Sequence, residues 1–309
     1  VNPINQSLAA NYPHSELETV HALLEATNLS GAQRIEDESR IFHQASQHGE
    51  LQTMQRLLKN PNINVNAKDP YGRTAFYIAC ANGHADIAKL LMKDERIEVD
   101  TPENQGVSPL SIACHNGHLG IVELLMNAPR VDVNRQMNQG ATAFFIACQN
   151  GHLNIVQLLM NDPRVDVNQS DNEESSPFFM ACLHNYHAIV ELLMKDERID
   201  INRSDHQQSS PFFIACQHGD FEMVQLLIQN PRVDVNRPIN QGTSPFYIAC
   251  ENGHLAIVKL LMNDPRVDVN QPMNEGATAF YIACQNGHLA IVKLLMNDPR
   301  VDVNQPTNE

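Results

Sequence analysis

The chain has 309 residues, 42% hydrophobic and 18% charged, a composition that excludes collagen-like and low-complexity polymers. A formal net charge of −15 argues against a nucleic-acid binder and against docking on anionic membrane surfaces. No apolar run approaches the ~18 residues that a membrane-spanning helix needs.

The seven cysteines fall at 80, 114, 148, 182, 216, 250 and 284, each step being 34 residues. A fixed period of that length marks a repeat architecture, and the chain is read here unit by unit. Residues 1–34 are the weakest copy. Leu17, Thr19, Leu23 and Leu24 precede Leu51, Thr53, Leu57 and Leu58 by one period, and Ser15 with Glu18 predicts a capping box. This stretch reads as a degenerate unit or a capping helix. The unit at 35–68 is clearer, with Ser46 in the cysteine column. Units then begin at 69, 103, 137, 171, 205, 239 and 273 without insertion or deletion.

Each unit carries the same punctuation. In the last one, Thr278 predicts an N-cap for a short helix, "AFYIACQN"; the pair reads Ser-Pro at 108–109, 176–177, 210–211 and 244–245, with proline where its missing N–H costs nothing. Gly287 is expected to end that helix in the left-handed region. "HLAIVKLLM" has Leu289, Val292 and Leu295 on one helical face, and Asp298-Pro299 stops it. "RVDVN" alternates as an extended arm would, and "QPMNEG" predicts a turn.

"IACQNGHL" occurs twice, pairing Cys148 with His152 and Cys284 with His288. A nucleophile with its base, or two metal ligands, would use these residue types. However, units stacked at roughly helix-packing distance, 8–10 Å, hold successive cysteines too far apart for a disulfide. A thiol near a helix C-terminus also lacks the field that favours thiolate. Packing roles are expected for both, the histidines packing or capping. His115 with His118, and His184 with His187, have zinc-like spacing but no further ligand to complete a site. Arginines recur at 96, 130, 164, 198, 232, 266 and 300, each followed two residues later by an acid, from Glu98 to Asp302. Pairing between those two is expected to neutralise the row. The aromatics at 76–77, 144–145, 178–179, 212–213, 246–247 and 280–281 are expected to fill seams between units.

A hairpin glycine, a Thr/Ser-Pro helix start, "AC" in the first helix, "GH" between helices and "LL…DVN" at the end resemble ankyrin repeats, well over 35–309 and weakly over 1–34. Three features depart from that family. The unit is 34 residues with "NDPR" in place of a shorter turn; the first-helix histidine is replaced, as at Tyr77, Ser111 and Phe145; and the hairpin glycine is lost at Glu174 and Gln208. The resemblance implies an all-α solenoid of helix-turn-helix units with β-hairpin-like loops in a curved stack. It further implies a protein partner on the concave side, which hairpin tips and first-helix ends would form.

Those positions include Tyr71, Arg73 and His115. Divergence concentrates at 171–220, where "CLHNYHA" replaces the usual "CQNGHLA". Glu173, Leu183, His184, Tyr186, His206 and His218 are the expected recognition patch, with an apolar Leu/Tyr pair suited to a hot spot; drift without function is the equal alternative. No cofactor, metal, nucleic acid or membrane insertion is expected. The expectation is a monomeric, non-enzymatic, cytoplasmic scaffold for protein–protein interaction. Near-identical copies ending in "VDVN" also resemble arrays of protists and of effectors that intracellular bacteria deliver to host cells, which implies a host protein as partner in the host cytoplasm. The rival reading is a targeting module for an enzyme domain outside this stretch. The first residues do not read as a signal peptide, and the start at Val1 and the absence of a polar cap before Glu309 are read as those of a fragment or a processed chain.

Overall fold

The computed structural model describes residues 31–305, with side chains from Glu38 onward. The expectations for residues 1–30, including Ser15 with Glu18 and the leucines after them, lie outside the described residues. Sixteen α-helices and no strand are found among those described, as helix pairs in sequence order. The chain is an all-α repeat solenoid, divided into two compact units.

The first unit comprises the residues up to Ala147 together with Asn161–Val165. It holds α1 (Gly31–His48), α2 (Leu51–Leu57), α3 (Ala75–Ala81), α4 (Ala85–Leu91), α5 (Pro109–His115) and α6 (Leu119–Met126). Helix α7 (Ala143–Gln149) lies at the division. The second unit, Cys148–Met160 with Asp166 onward, holds α8 (Leu153–Met160), α9 (Pro177–Leu183), α10 (His187–Met194), α11 (Pro211–His218), α12 (Phe221–Ile228), α13 (Pro245–Glu251), α14 (Leu255–Met262), α15 (Ala279–Gln285) and α16 (Leu289–Met296).

From α2 onward every helix has seven or eight residues. Isolated helices shorter than ~12–15 residues are marginal in water, so packing between neighbouring repeats, not propensity, holds these in place. Their starts follow the sequence. Thr74, Ser108, Ser176, Ser210, Ser244 and Thr278 each accept a hydrogen bond from the backbone N–H three residues on. Helix α1 is the exception, running through the expected boundary at 34/35 for 18 residues. Arg40 and Ile41 occupy the Thr/Ser-Pro columns there, so no start signal interrupts the helix.

The core is built from three columns. First helices bury their aromatic pair, as at Phe76 and Tyr77 or Phe212 and Phe213, all at most 2% exposed. Second helices bury residues such as Ile121, Val122 and Leu125, and arms bury both valines, as at Val165 and Val167. Each such side chain contributes about 1.5–3 kcal/mol by leaving water. The valine alternation matches the extended reading, although turns rather than a strand form the arm. The last pair departs, with Phe280 half-buried and Tyr281 46% exposed.

Neighbouring arms are tied by one asparagine column. Asn202 Nδ2 donates to the Arg232 carbonyl at 2.7 Å while its Oδ1 accepts from the Asp234 N–H at 2.8 Å. Asn66 in the first unit does the same with Arg96 and Glu98, and Asn236 and Asn270 repeat the pattern in the second.

The arginine row corrects the sequence reading. Arg96, Arg164, Arg198, Arg266 and Arg300 pair with the aspartate two residues before them, at 2.6–2.7 Å, and not with the acid two residues after. The turn explains the difference. The arginine N–H bonds the preceding aspartate carboxylate, which folds the side chain back over the same group. The later acid instead accepts from the N–H of the ladder asparagine, as Asp302 does from Asn304.

Candidate interaction surface

The cysteine–histidine pairs resolve into scaffold. Cys80, Cys114, Cys182, Cys216 and Cys250 are buried, and burial raises the pKa of each thiol well above its ordinary value. Cys284 is exposed, and none of the seven cysteines forms a disulfide. The histidines face away from any such chemistry. Nε2 of His84, His118, His254 and His288 lies 2.9–3.1 Å from a backbone carbonyl of the preceding repeat, at Gln47, Ala81, Gln217 and Glu251. They sit at the N-cap position of their helices but make no capping bond, so they are packing residues and the capping reading falls. Each ring lies on the glycine of the preceding repeat. A methyl group on Gly253 would come within 2.7 Å of the His288 ring. The zinc-like spacings lead elsewhere too. His118 Nε2 meets the Ala81 carbonyl, and His187 Nε2 lies 3.8 Å from Asp220 Oδ1. Among the described residues no group of three His, Cys, Asp or Glu could hold a metal ion.

In the first unit, Tyr71 is 43% exposed at a hairpin tip, and the Arg73 guanidinium lies 4.9 Å from its ring centroid. Asp69 holds Arg73 in place through a 2.7 Å ion pair, so tyrosine and arginine form one rigid polar–aromatic knob. The Tyr71 carbonyl accepts from the Asn104 N–H of the next hairpin at 3.0 Å. His115 closes α5, partly exposed.

The remaining candidates belong to the second unit. Glu173 and His206 stand on adjacent hairpin tips, and the Glu173 carbonyl accepts from the His206 N–H at 3.0 Å. His206 and Glu173 are exposed, as is His218 at the end of α11. His184 and Tyr186 bring their rings to 6.0 Å between centroids. His184 keeps an exposed surface, while desolvation where it meets the protein lowers its pKa. Leu183 and Tyr186 are each half-buried.

Tyr186 has a second role that the sequence reading did not separate. It occupies the histidine column, and its ring lies on Gly151 as the histidines lie on theirs, 2.7 Å from where a Cβ would be. Part of this tyrosine is therefore scaffold. The feature most confined to this region is in the backbone. Glu174, Asn185 and Gln208 are the non-glycine residues with positive φ among those described, at 62°, 60° and 66°. Other repeats place glycine in these columns, as at Gly242 and Gly253. The absent glycines were legible in the sequence, as was the fitness of Asn185 for the left-handed region; the left-handed backbone retained at Glu174 and Gln208 was not.

The family model "Ankyrin repeats (3 copies)" matches residues 7–103, 42–137, 110–205, 144–239 and 212–307. The chain belongs to the ankyrin-repeat family, whose members are generally protein–protein interaction modules and typically non-catalytic scaffolds. Comparison with curated proteins gives no match. Among the described residues no helix is long and apolar enough to cross a membrane.

Proposed function

We propose that the chain is a monomeric scaffold that binds a cytoplasmic partner protein through hairpin tips and first-helix ends, with Glu173, Leu183, His184, Tyr186, His206 and His218 as the principal patch. The observation that carries the reading is the backbone strain at Glu174, Asn185 and Gln208. A non-glycine residue in the left-handed region costs roughly 1–2 kcal/mol, and such strain concentrates where function holds a side chain in place. Here it flanks exposed imidazoles and a half-buried Leu/Tyr pair, a mixture of polar rim and apolar centre suited to a protein surface. Tyr71 and Arg73 supply a separate contact on the first unit.

The test is capture from eukaryotic cytosol on immobilised wild type and on a Leu183→Gln plus Tyr186→His variant. Histidine at 186 keeps a ring over Gly151 and is the array's own choice in that column, so the variant folds. A protein held by wild type and lost by the variant supports the patch. Equal capture by both sinks it.

A further inference from the structure

The seven arm arginines serve as internal controls for one another, and one of them differs. Five are gripped by their own aspartate, through Nε and Nη2; in Arg164 these bonds measure 3.0 and 2.6 Å. Arg232 has Asn230 in that column and is held by the Met194 carbonyl at 2.8 Å. Arg130 has neither anchor. Ala128 replaces the aspartate, and the guanidinium makes one hydrogen bond among the described residues, from Nη1 to the Ile97 carbonyl at 3.2 Å. The Nε and Nη2 edge, which grips a carboxylate in five sibling arms, has no internal acceptor.

The neighbouring column departs as well. Asp100 stands where Asn66, Asn134 and Asn202 stand in other repeats. A carboxylate cannot donate to the Arg130 carbonyl as those amides do to theirs. Asp100 instead accepts from Arg135 Nε and Nη2, at 2.9 and 2.7 Å. Its charge is thereby committed to Arg135. Asp100, Arg130 and Arg135 line one open groove of about 470 Å³ between the arms that begin at Arg96 and Arg130.

We propose that this groove binds one carboxylate of a protein ligand, gripped side-on by Nε and Nη2 of Arg130. The chemistry follows from the lining. Arg96 is spent on Asp94 and Arg135 on Asp100, which leaves Arg130 as the cation to be matched. A planar carboxylate fits the guanidinium fork with two parallel bonds, as the sibling aspartates demonstrate. Glu95 and Glu98 also line the groove, and their charges disfavour phosphate or any polyanion. The chain's net charge of −15 acts the same way at long range. The site is independent of the patch around Tyr186, so failure of either leaves the other standing.

The experiment follows the Nε–H resonance of Arg130 in the full chain, assigned with Arg130→Lys, by proton–nitrogen NMR at low salt. The main probe is the blocked peptide Ac-Asn-Asp-Pro-NH2, which copies the segment before Arg164, Arg266 and Arg300. A saturable shift is expected, weakened about tenfold or more in Ala128→Asp, which supplies the acid internally; tenfold corresponds to about 1.4 kcal/mol. Ala128→Asp restores the array's consensus, and its Arg130 resonance should move toward that of Arg164, a readout that also certifies folding. Binding of Ac-Ala-Ala-Pro-OH in place of the aspartyl peptide would support the site with a chain terminus as the carboxylate source. An equal response to neutral Ac-Asn-Asn-Pro-NH2, tighter binding of inorganic phosphate, or an unchanged response in Ala128→Asp would overturn the proposal.

Discussion

Alanine at Gly253 and alanine at Gly287 should have very different consequences, although the local sequence "NGHLAIVKLLM" is the same. Both glycines have φ of 74°. A Cβ on Gly253 would lie 2.7 Å from the His288 ring, whereas one on Gly287 would meet nothing within 4 Å. The backbone cost is therefore common to both. Left-handed alanine costs ~1–2 kcal/mol, offset by ~0.4–1 kcal/mol because alanine also restricts the unfolded chain. Gly287→Ala should thus lose about 1 kcal/mol. Gly253→Ala must also displace the imidazole, breaking the 2.9 Å contact between His288 Nε2 and the Glu251 carbonyl. That bond contributes about 0.5–1.5 kcal/mol, and crowding a packed site costs about 1–3 kcal/mol. A total near 4 kcal/mol is expected, hence a gap of about 3 kcal/mol between the two variants. Urea unfolding gives the global values. Native-state hydrogen exchange at Val258 and Val292 separates loss at α14 from fraying at α16. Equal costs for the two substitutions would refute the claim that each ring is seated on the preceding glycine.

Three further outcomes follow from the same geometry. Ser46, in the cysteine column, is fully buried with Oγ lacking a hydrogen-bond partner; Ser46→Cys should stabilise the first unit by about 1–2 kcal/mol in urea, removing an unmet desolvation cost. Glu174→Gly and Gln208→Gly should each raise stability by up to about 1 kcal/mol by relieving left-handed strain, seen as a higher urea midpoint at unchanged slope. Hydrogen bonds from arginine hold Asp94, Asp162, Asp196, Asp264 and Asp298 below the ordinary carboxylate pKa. Their contribution is present above the unfolded value of about 3.9 and is lost as pH falls through the folded values, so melting temperature should fall steeply below about pH 4. Burial moves Asp100 and Asp171 the opposite way, and their cost is relieved on acidification. Changing the five clamped aspartates to asparagine should flatten the acid limb; an unchanged limb would rule out the clamps as its source.

The architecture was legible because its signals are local. Serine or threonine at the N-cap, proline after it and glycine at the helix end act within a few residues, and every one recurs in its column. What stayed hidden acts between repeats or depends on a turn. The arginines were assigned to the later acid by assuming an extended arm, but Arg300 folds back because its own N–H bonds Asp298. The reach of His254 to the Gln217 carbonyl spans 37 positions, and nothing inside one repeat announces it. Tyr186 reads as a surface aromatic until its contact with Gly151 is seen. Ala128 and Asp100 are a different case. Both are visible as departures from their columns, but only the paired groove gives them a common meaning.

The asparagine ladder also bears on how such an array can change. Asn236 reaches Arg266 and Asp268, and Asn270 reaches Arg300 and Asp302, with the same atoms and the same offsets. Deleting residues 239–272 would leave Asn236 facing Arg300 and Asp302 in an identical seam. Recombination between copies can therefore lengthen or shorten the molecule by whole repeats while every joint stays chemically matched. Asp100 is outside this interchange. Its carboxylate requires an arginine in the column of Arg135, which Arg203 and Arg237 also fill and Gln169 and Gln271 do not, so that seam limits which repeat can follow it.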